Sequence, residues 1–262
     1  MQPITSIGIF DSGIGGLTVY KEIRSLFPTL DIIYLGDTAR VPYGSKSKKT
    51  IIDYSINNCN FLIKKNVSII IVACNTSSAV ALDSLRANFH IPIFGVVSAA
   101  VKEAIKKSCN GKIGIIGTQA TIDSGIYSKK IKSFVGKHSV YSVSTPLLVP
   151  IVESSYENHI ITKIVLAEYL KPLLEKSIDT LILGCTHYPL LIDVINDITE
   201  NKLNLINCAK PLAKYLKEKI PVYNSNEKKK NKIYVTDNHL SFLSLAKNIL
   251  NNQNLIVKKT NI

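Results

Sequence analysis

Two cysteines in this chain stand in matching company. In "IIIVACNTSSA" an apolar run ends at Cys74 and is followed by Asn75 and Thr76, and in "TLILGCTHYPL" a second run ends at Cys185 and is followed by Thr186 and His187. The thiolate is the reactive form of cysteine, and its reference pKa of about 8.5 falls beside a helix N-terminus or a cation. Both cysteines sit where a strand pattern gives way to a helical one, so free N–H groups and the helix dipole favour an anion, such as a ligand carboxylate, at both places. A carbon acid held between one thiolate and one thiol can lose a proton on one face and regain one on the other. The carbon is inverted without redox change. Because the α-proton of an amino acid is far less acidic than a thiol, such a site must also desolvate the carbanion and aim hydrogen bonds at it.

Polar residues near other strand ends fit supporting roles. Asp11 and Ser12 follow "SIGIF" and could bind a substrate amine, tune Cys74, or cap the helix beginning near Gly15. Pro42, Tyr43 and Gly44 could form a lining loop, and Glu153 of "LVPIVES" could hold His187 in one tautomer or charge state. The glycines of "DSGIGGLT" invite a dinucleotide reading, but a G-x-G-x-x-G frame begun at Gly13 meets Thr18 where its third glycine belongs. Neither a lysine-bearing phosphate loop nor an EF-hand loop is present, and no cofactor or metal is expected.

The elements that must position these residues follow an α/β plan. "SIGIF", "DIIYLGD", "SIIIVAC", "KIGIIGT", "HSVYSVST" and "DTLILGC" read as strands. Between and after them come helical patterns in "GGLTVYKEIRSLF", from about Thr50 to Lys65, in "SSAVALDSLRANF", around "ITKIVLAEYLKPLLEK" and in "YPLLIDVINDIT". That alternation predicts βαβ units and mainly parallel sheets. The order also repeats. "SIGIFDSGIGG" and "KIGIIGTQATI" place Ile7 and Ile113 at an offset of 113 − 7 = 106 residues, and the two cysteines are offset by 185 − 74 = 111. Two related α/β halves are therefore expected, each offering the loops after its strand ends to a shared cleft where Cys74 meets Cys185. The expected division is 1–97 with 209–262 for the Asp11 and Cys74 side, and 98–208 for the Glu153, Cys185 and His187 side.

Bulk properties set the class. A chain of 262 residues with 46% hydrophobic residues is globular, and no apolar run approaches the roughly 18 residues of a membrane helix. With no secretion signal in "MQPITSIGIF", a cytoplasmic location is expected. Five widely spaced cysteines without a C-x-x-C pair argue against a disulfide framework or a zinc knuckle, and Cys59, Cys109 and Cys208 read as ordinary buried thiols. The net charge of +13 could serve nucleic acid or an anionic metabolite. The abundance of Lys, Asn and Ile throughout favours a coding bias instead, so nucleic acid is not expected as a partner. The run "NEKKKNK" at 226–232 reads as a solvated loop.

Taken together, "FDSGIGGLTV", "GDTARVPYGSKS", "ACNTSSA", "LVPIVES" and "LGCTHYPLL", in this order and spacing, resemble the bacterial glutamate racemases of the aspartate/glutamate racemase superfamily, from about residue 6 to 250. The resemblance implies cofactor-independent interconversion of L- and D-glutamate for peptidoglycan precursors. It implies two α/β domains with the site between them, and a homodimer. By the same resemblance Cys74 is the base toward D-glutamate, assisted by Asp11. Cys185 is the base toward L-glutamate, assisted by Glu153 and His187. Asp11, Ser12, Tyr43, Gly44, Asn75, Thr76, Thr186 and His187 hold the substrate. Aspartate-type relatives more often carry glutamate where His187 stands, which favours glutamate as substrate over aspartate. The chain departs from the family pattern at Ser98-Ala99 and at Asn207-Cys208, both outside the five motifs. A non-catalytic binding protein is the alternative from another class, and the intact cysteine pair argues against it.

Overall fold

The computed structural model describes residues 4–134, 138–221, 231–237 and 239–262. Its strands are β1 (Ser6–Asp11), β2 (Asp31–Gly36), β3 (Ile69–Val72), β4 (Ile93–Gly95), β5 (Lys112–Gly117), β6 (Ser139–Ser144), β7 (Thr180–Gly184), β8 (Asn204–Asn207), β9 (Asn231–Val235) and β10 (Val257–Lys259). They form a six-stranded sheet in the order β10-β9-β2-β1-β3-β4 and a four-stranded sheet in the order β6-β5-β7-β8. Every pairing is parallel. Parallel sheets carry helices on both faces, which is why β1, β3, β5 and β7 are almost wholly apolar rather than alternating.

The order β2-β1-β3-β4 in one sheet reappears as β6-β5-β7-β8 in the other. The repeated motifs therefore sit on equivalent strands, β1 with β5 and β3 with β7. In each sheet the strand leading to a cysteine pairs directly with the strand leading to the Asp11–Ser12 loop or its counterpart, Ile9 opposite Ile71 and Ile115 opposite Ile182.

Three apolar clusters hold these layers. The largest lies between the sheets, where Ile7 and Ile9 of β1 and Ile113 and Ile115 of β5 pack with helices Leu17–Leu26, Val97–Lys107 and Ala209–Lys219. A second covers the far face of the first sheet and ends at Cys74. The third covers the far face of the second sheet and ends at Cys185. Each fully buried Ile or Leu here contributes about 1.5–3 kcal/mol relative to exposure, so the two halves share much of their stability through the central cluster.

Several helices differ in detail from the sequence reading. The helix expected from about Thr50 spans Lys48–Ile63, because Ser47 caps it by accepting from the Thr50 N–H. The pattern after Cys74 divides at Ala81 into Asn75–Val80 and Leu82–Asn88. After Cys185 the chain passes through a 3-10 turn at Tyr188–Leu191 before the helix Ile192–Thr199. Residues 226–230 of the basic run lie outside the described residues, and its last two, Asn231 and Lys232, open β9 rather than continue a loop. Cys109 is exposed, contrary to the buried thiol expected. It sits in a turn held by Asp179, which accepts from the N–H groups of Cys109 and Asn110. Among the described residues no helix is long and apolar enough to cross a membrane.

Candidate active site

β3 ends two residues before Cys74, and Cys74 itself is the N-cap of the helix Asn75–Val80. The turn is anchored by Ser78, whose hydroxyl donates to the Val72 carbonyl at 2.8 Å and accepts from the Val96 N–H at 3.2 Å. β7 ends immediately before Cys185, where the fully buried Tyr188 ties the following turn to Thr145 through a 2.5 Å hydroxyl contact. Strand carboxyl ends of both sheets are thereby brought to one cavity. Ser12, Tyr43, Gly44, Cys74, Asn75, Thr76, Cys185, Thr186 and His187 all line it. Its volume is ≈ 10 Å³, room for about one water molecule.

Asp11 and Glu153 stand behind this wall. One Asp11 oxygen accepts from the Gly13 and Gly16 N–H groups, both at 3.0 Å, and the other accepts from the Thr186 hydroxyl at 3.2 Å. Asp11 thus caps its own loop and also reaches across to the residue beside Cys185. Glu153 Oε1 lies 2.7 Å from His187 Nε2, and His187 Nδ1 lies 3.7 Å from Cys185 Sγ. Burial alone would push the His187 imidazolium down, but its bonds and charge interactions with Cys185 and Glu153 prevail and hold it well above its ordinary range.

Cys74 has other neighbours. Its thiol donates to Ser12 Oγ at 3.9 Å. Burial first, then the Asp11 carboxylate, push the thiol up to about 12, against the pull of Ser77. The lowering expected from the helix N-terminus is overridden here, because a 4% exposed sulfur next to a carboxylate loses more by ionising than the short helix returns. Burial likewise raises the Asp11 carboxyl, although His187 and the Gly13 and Gly16 N–H groups pull the other way.

Tyr43 lines the cavity with a hydroxyl already committed elsewhere. It donates to Asp37 and accepts from Asn58 Nδ2 at 3.0 Å, so what Tyr43 can offer a ligand is its ring and backbone. Asp37 also accepts from Arg40 Nε at 2.6 Å and from the Thr236 hydroxyl at 3.0 Å, which roots the 42–44 loop in the first sheet. The close approach of the halves explains two glycines. A Cβ at Gly15 would fall 2.5 Å from Thr186 Oγ1 and 2.6 Å from His187 Nδ1, and a Cβ at Gly44 would overlap the Thr118 side chain. "DSGIGG" is therefore an interlock between loops rather than a phosphate cradle.

Sequence reasoning missed Thr118. It lines the cavity and lies 2.9 Å from Thr76 Oγ1 and from Thr121 Oγ1. The signal was present: at the 106-residue offset Thr118 is the counterpart of Ser12, just as His187 is that of Thr76 at the 111-residue offset. Cys208 was also undervalued. It is buried as expected, but its sulfur lies 3.4 Å from the hydroxyl of Tyr127, which donates to Asn75 Oδ1 at 2.5 Å.

Two parallel α/β sheets thus bring equivalent cysteine-bearing strand ends to the wall of one buried cavity. The chain belongs to the Asp/Glu/Hydantoin racemase family, which it matches over residues 7–216. Relatives within that family include glutamate racemases. That of Persephonella marina is 52% identical over 240 residues, covering 92% of this chain and 91% of the relative. Among solved structures, glutamate racemase isoform RacE1 of Bacillus anthracis superposes with a TM-score of 0.93 at 35% identity, covering 98% of each chain. The glutamate racemase of Francisella tularensis in complex with D-glutamate gives 0.90 at 36% identity, covering 98% of this chain and 97% of the other. The chain is accordingly an isomerase.

Proposed function

We propose that this protein interconverts L- and D-glutamate by two-base proton transfer between Cys74 and Cys185. The observation that carries the reading is the pair of buried thiols, one from each sheet, lining a single cavity. In the L-to-D direction the Cys185 thiolate takes the α-proton, with His187 as imidazolium donating toward its sulfur and Glu153 balancing the imidazolium charge. The Cys74 thiol then returns its own proton to the opposite face, which leaves Cys185 protonated and Cys74 ionised. Ser12, Asn75, Thr76 and Thr186 offer donors and acceptors to the amine and carboxylates, with Tyr43 and Gly44 completing the wall. Asp11 acts on Cys74 by charge and on Thr186 by hydrogen bond. The same reading makes 1–97 with 209–262 one domain and 98–208 the other. It also makes the protein a cytoplasmic homodimer whose D-glutamate supplies peptidoglycan synthesis.

The deciding experiment follows L-glutamate in D₂O by circular dichroism with no cofactor added, with mass spectrometry of the recovered amino acid. Loss of ellipticity with one deuterium at the α-carbon is the expected result. Racemisation of aspartate but not glutamate would move the substrate, and inertness toward all amino acids would overturn the catalytic reading.

A further inference from the structure

The Asn75 amide poses a problem of orientation. Asn75 is 2% exposed and lines the cavity beside Cys74, and although its side chain also interacts with the Cys208 sulfur, its Nδ2 makes no hydrogen bond of good geometry among the described residues. Buried polar groups are nearly always paired, so an orphaned amide nitrogen in a cavity wall points to a ligand acceptor. A side-chain amide has the same outline either way round. Only its hydrogen bonds decide whether the oxygen or the nitrogen is left over for a substrate, and an oxygen there would repel a carboxylate.

We propose that Tyr127 is a positioning residue that makes this decision: its hydroxyl holds Asn75 Oδ1 and leaves Nδ2 as the donor for a substrate carboxylate oxygen. The inference rests on the reading of Asn75 as a substrate contact. Tyr127 lies on the helix Ile126–Lys132, is 2% exposed, and donates to Asn75 Oδ1 at 2.5 Å. Behind it stands Cys208, whose sulfur is 3.4 Å from the phenol oxygen and donates to the Leu183 carbonyl at 3.3 Å. Burial and the neighbouring Cys208 hold the Tyr127 phenol well above its ordinary range, and burial pushes the Cys208 thiol up to about 12. Both groups therefore keep their protons. A phenol that stays protonated has a single hydrogen to give, and the geometry assigns it to Asn75. Cys208 and Tyr127 both follow from the strands of the four-stranded sheet, whereas Asn75 follows β3 of the other. The bond crosses the cleft, so the amide is set when the two halves are together.

The test is a double-mutant cycle on the full-length protein with L- and D-glutamate, using Tyr127→Phe and Asn75→Ala, with thermal unfolding of each variant as a control. Tyr127→Phe removes one oxygen and keeps the ring packing. It should raise KM about threefold to tenfold, the loss expected of one hydrogen bond, with kcat within about twofold. In the Asn75→Ala background, where KM is already raised, Tyr127→Phe should add nothing. Equal effects of Tyr127→Phe in both backgrounds would mean that it acts on packing and not through Asn75, which overturns the inference. An unchanged KM in Tyr127→Phe alongside a raised KM in Asn75→Ala would overturn the inference alone. An unchanged KM in Asn75→Ala would overturn the underlying substrate-contact reading as well.

Discussion

Beside Cys185 stands the imidazole of His187, itself paired with Glu153, whereas Cys74 faces Ser12 and the carboxylate of Asp11. The two sulfurs thus have opposite charge environments, an imidazole beside one and a carboxylate beside the other. Replacing either with alanine should reduce racemisation by at least about 10³-fold, within the range for losing a general acid or base. Cys74→Ala should still catalyse proton loss from L-glutamate analogues that can eliminate, and Cys185→Ala from the D-analogues, as a coupled ammonia assay would show. Equal loss toward both enantiomers in both variants would contradict separate roles. His187 carries a second prediction. Its folded pKa lies above the ordinary value of about 6.5, so its contribution to stability is fully present below that pH and is lost as pH rises through the folded value. Glu153→Gln keeps a hydrogen-bond acceptor but removes the charge that supports the imidazolium. Urea unfolding between pH 6 and 9 should therefore show a shallower decline for the variant than for the wild type.

At the scale of the element, loop interlock governs the site. The loop after β1 passes so close to the loop after β7 that Gly15 has no room for a methyl group beside Thr186 and His187. Gly15→Ala should cost about 1–3 kcal/mol through overpacking. Because His187 must move to relieve it, kcat/KM should fall by more than about tenfold, a split readable from a thermal melt and a racemisation assay. Loss of stability with full activity would show that the interlock does not position His187. The 42–44 loop is held differently, by the Tyr43 hydroxyl in its Asp37 and Asn58 network. Tyr43→Phe leaves the buried Asn58 amide short of an acceptor, and a destabilisation of about 1–3 kcal/mol is expected from urea titration.

At the scale of the molecule, a cavity of ≈ 10 Å³ cannot admit an amino acid. Gly44 packs against Thr118 and Gly15 against Thr186, and separation of the two halves to admit substrate and release product is the expected consequence. Such motions commonly limit turnover. Small-angle scattering should give a larger radius of gyration for the free protein than for protein saturated with D-glutamate, and identical curves would contradict the opening. The central apolar cluster, with Ile7, Ile9, Ile113 and Ile115 in one body with three helices, constrains that motion to a shift that keeps those residues packed.

Much of this was open to reading in one dimension. Short apolar runs alternating with helical patterns announced βαβ units and parallel sheets, and offsets of 106 and 111 residues announced two equivalent halves, because a repeated fold must place its strand-end residues at repeated positions. The two cysteines and their polar followers were legible for the same reason. Elevation of the Cys74 thiol was not, since a sequence displays the helix N-terminus that lowers a pKa but not the burial and the carboxylate that raise it. Nor was the link from Cys208 through Tyr127 to Asn75, which joins residues 52 and 81 positions apart. By itself the sequence determined the repeat of an α/β half, the chemistry available and the residues that could carry it. The tertiary structure alone decided which of those groups keep their protons, which face the cavity and which stand behind it, because desolvation and hydrogen-bond direction depend on neighbours that only folding brings together.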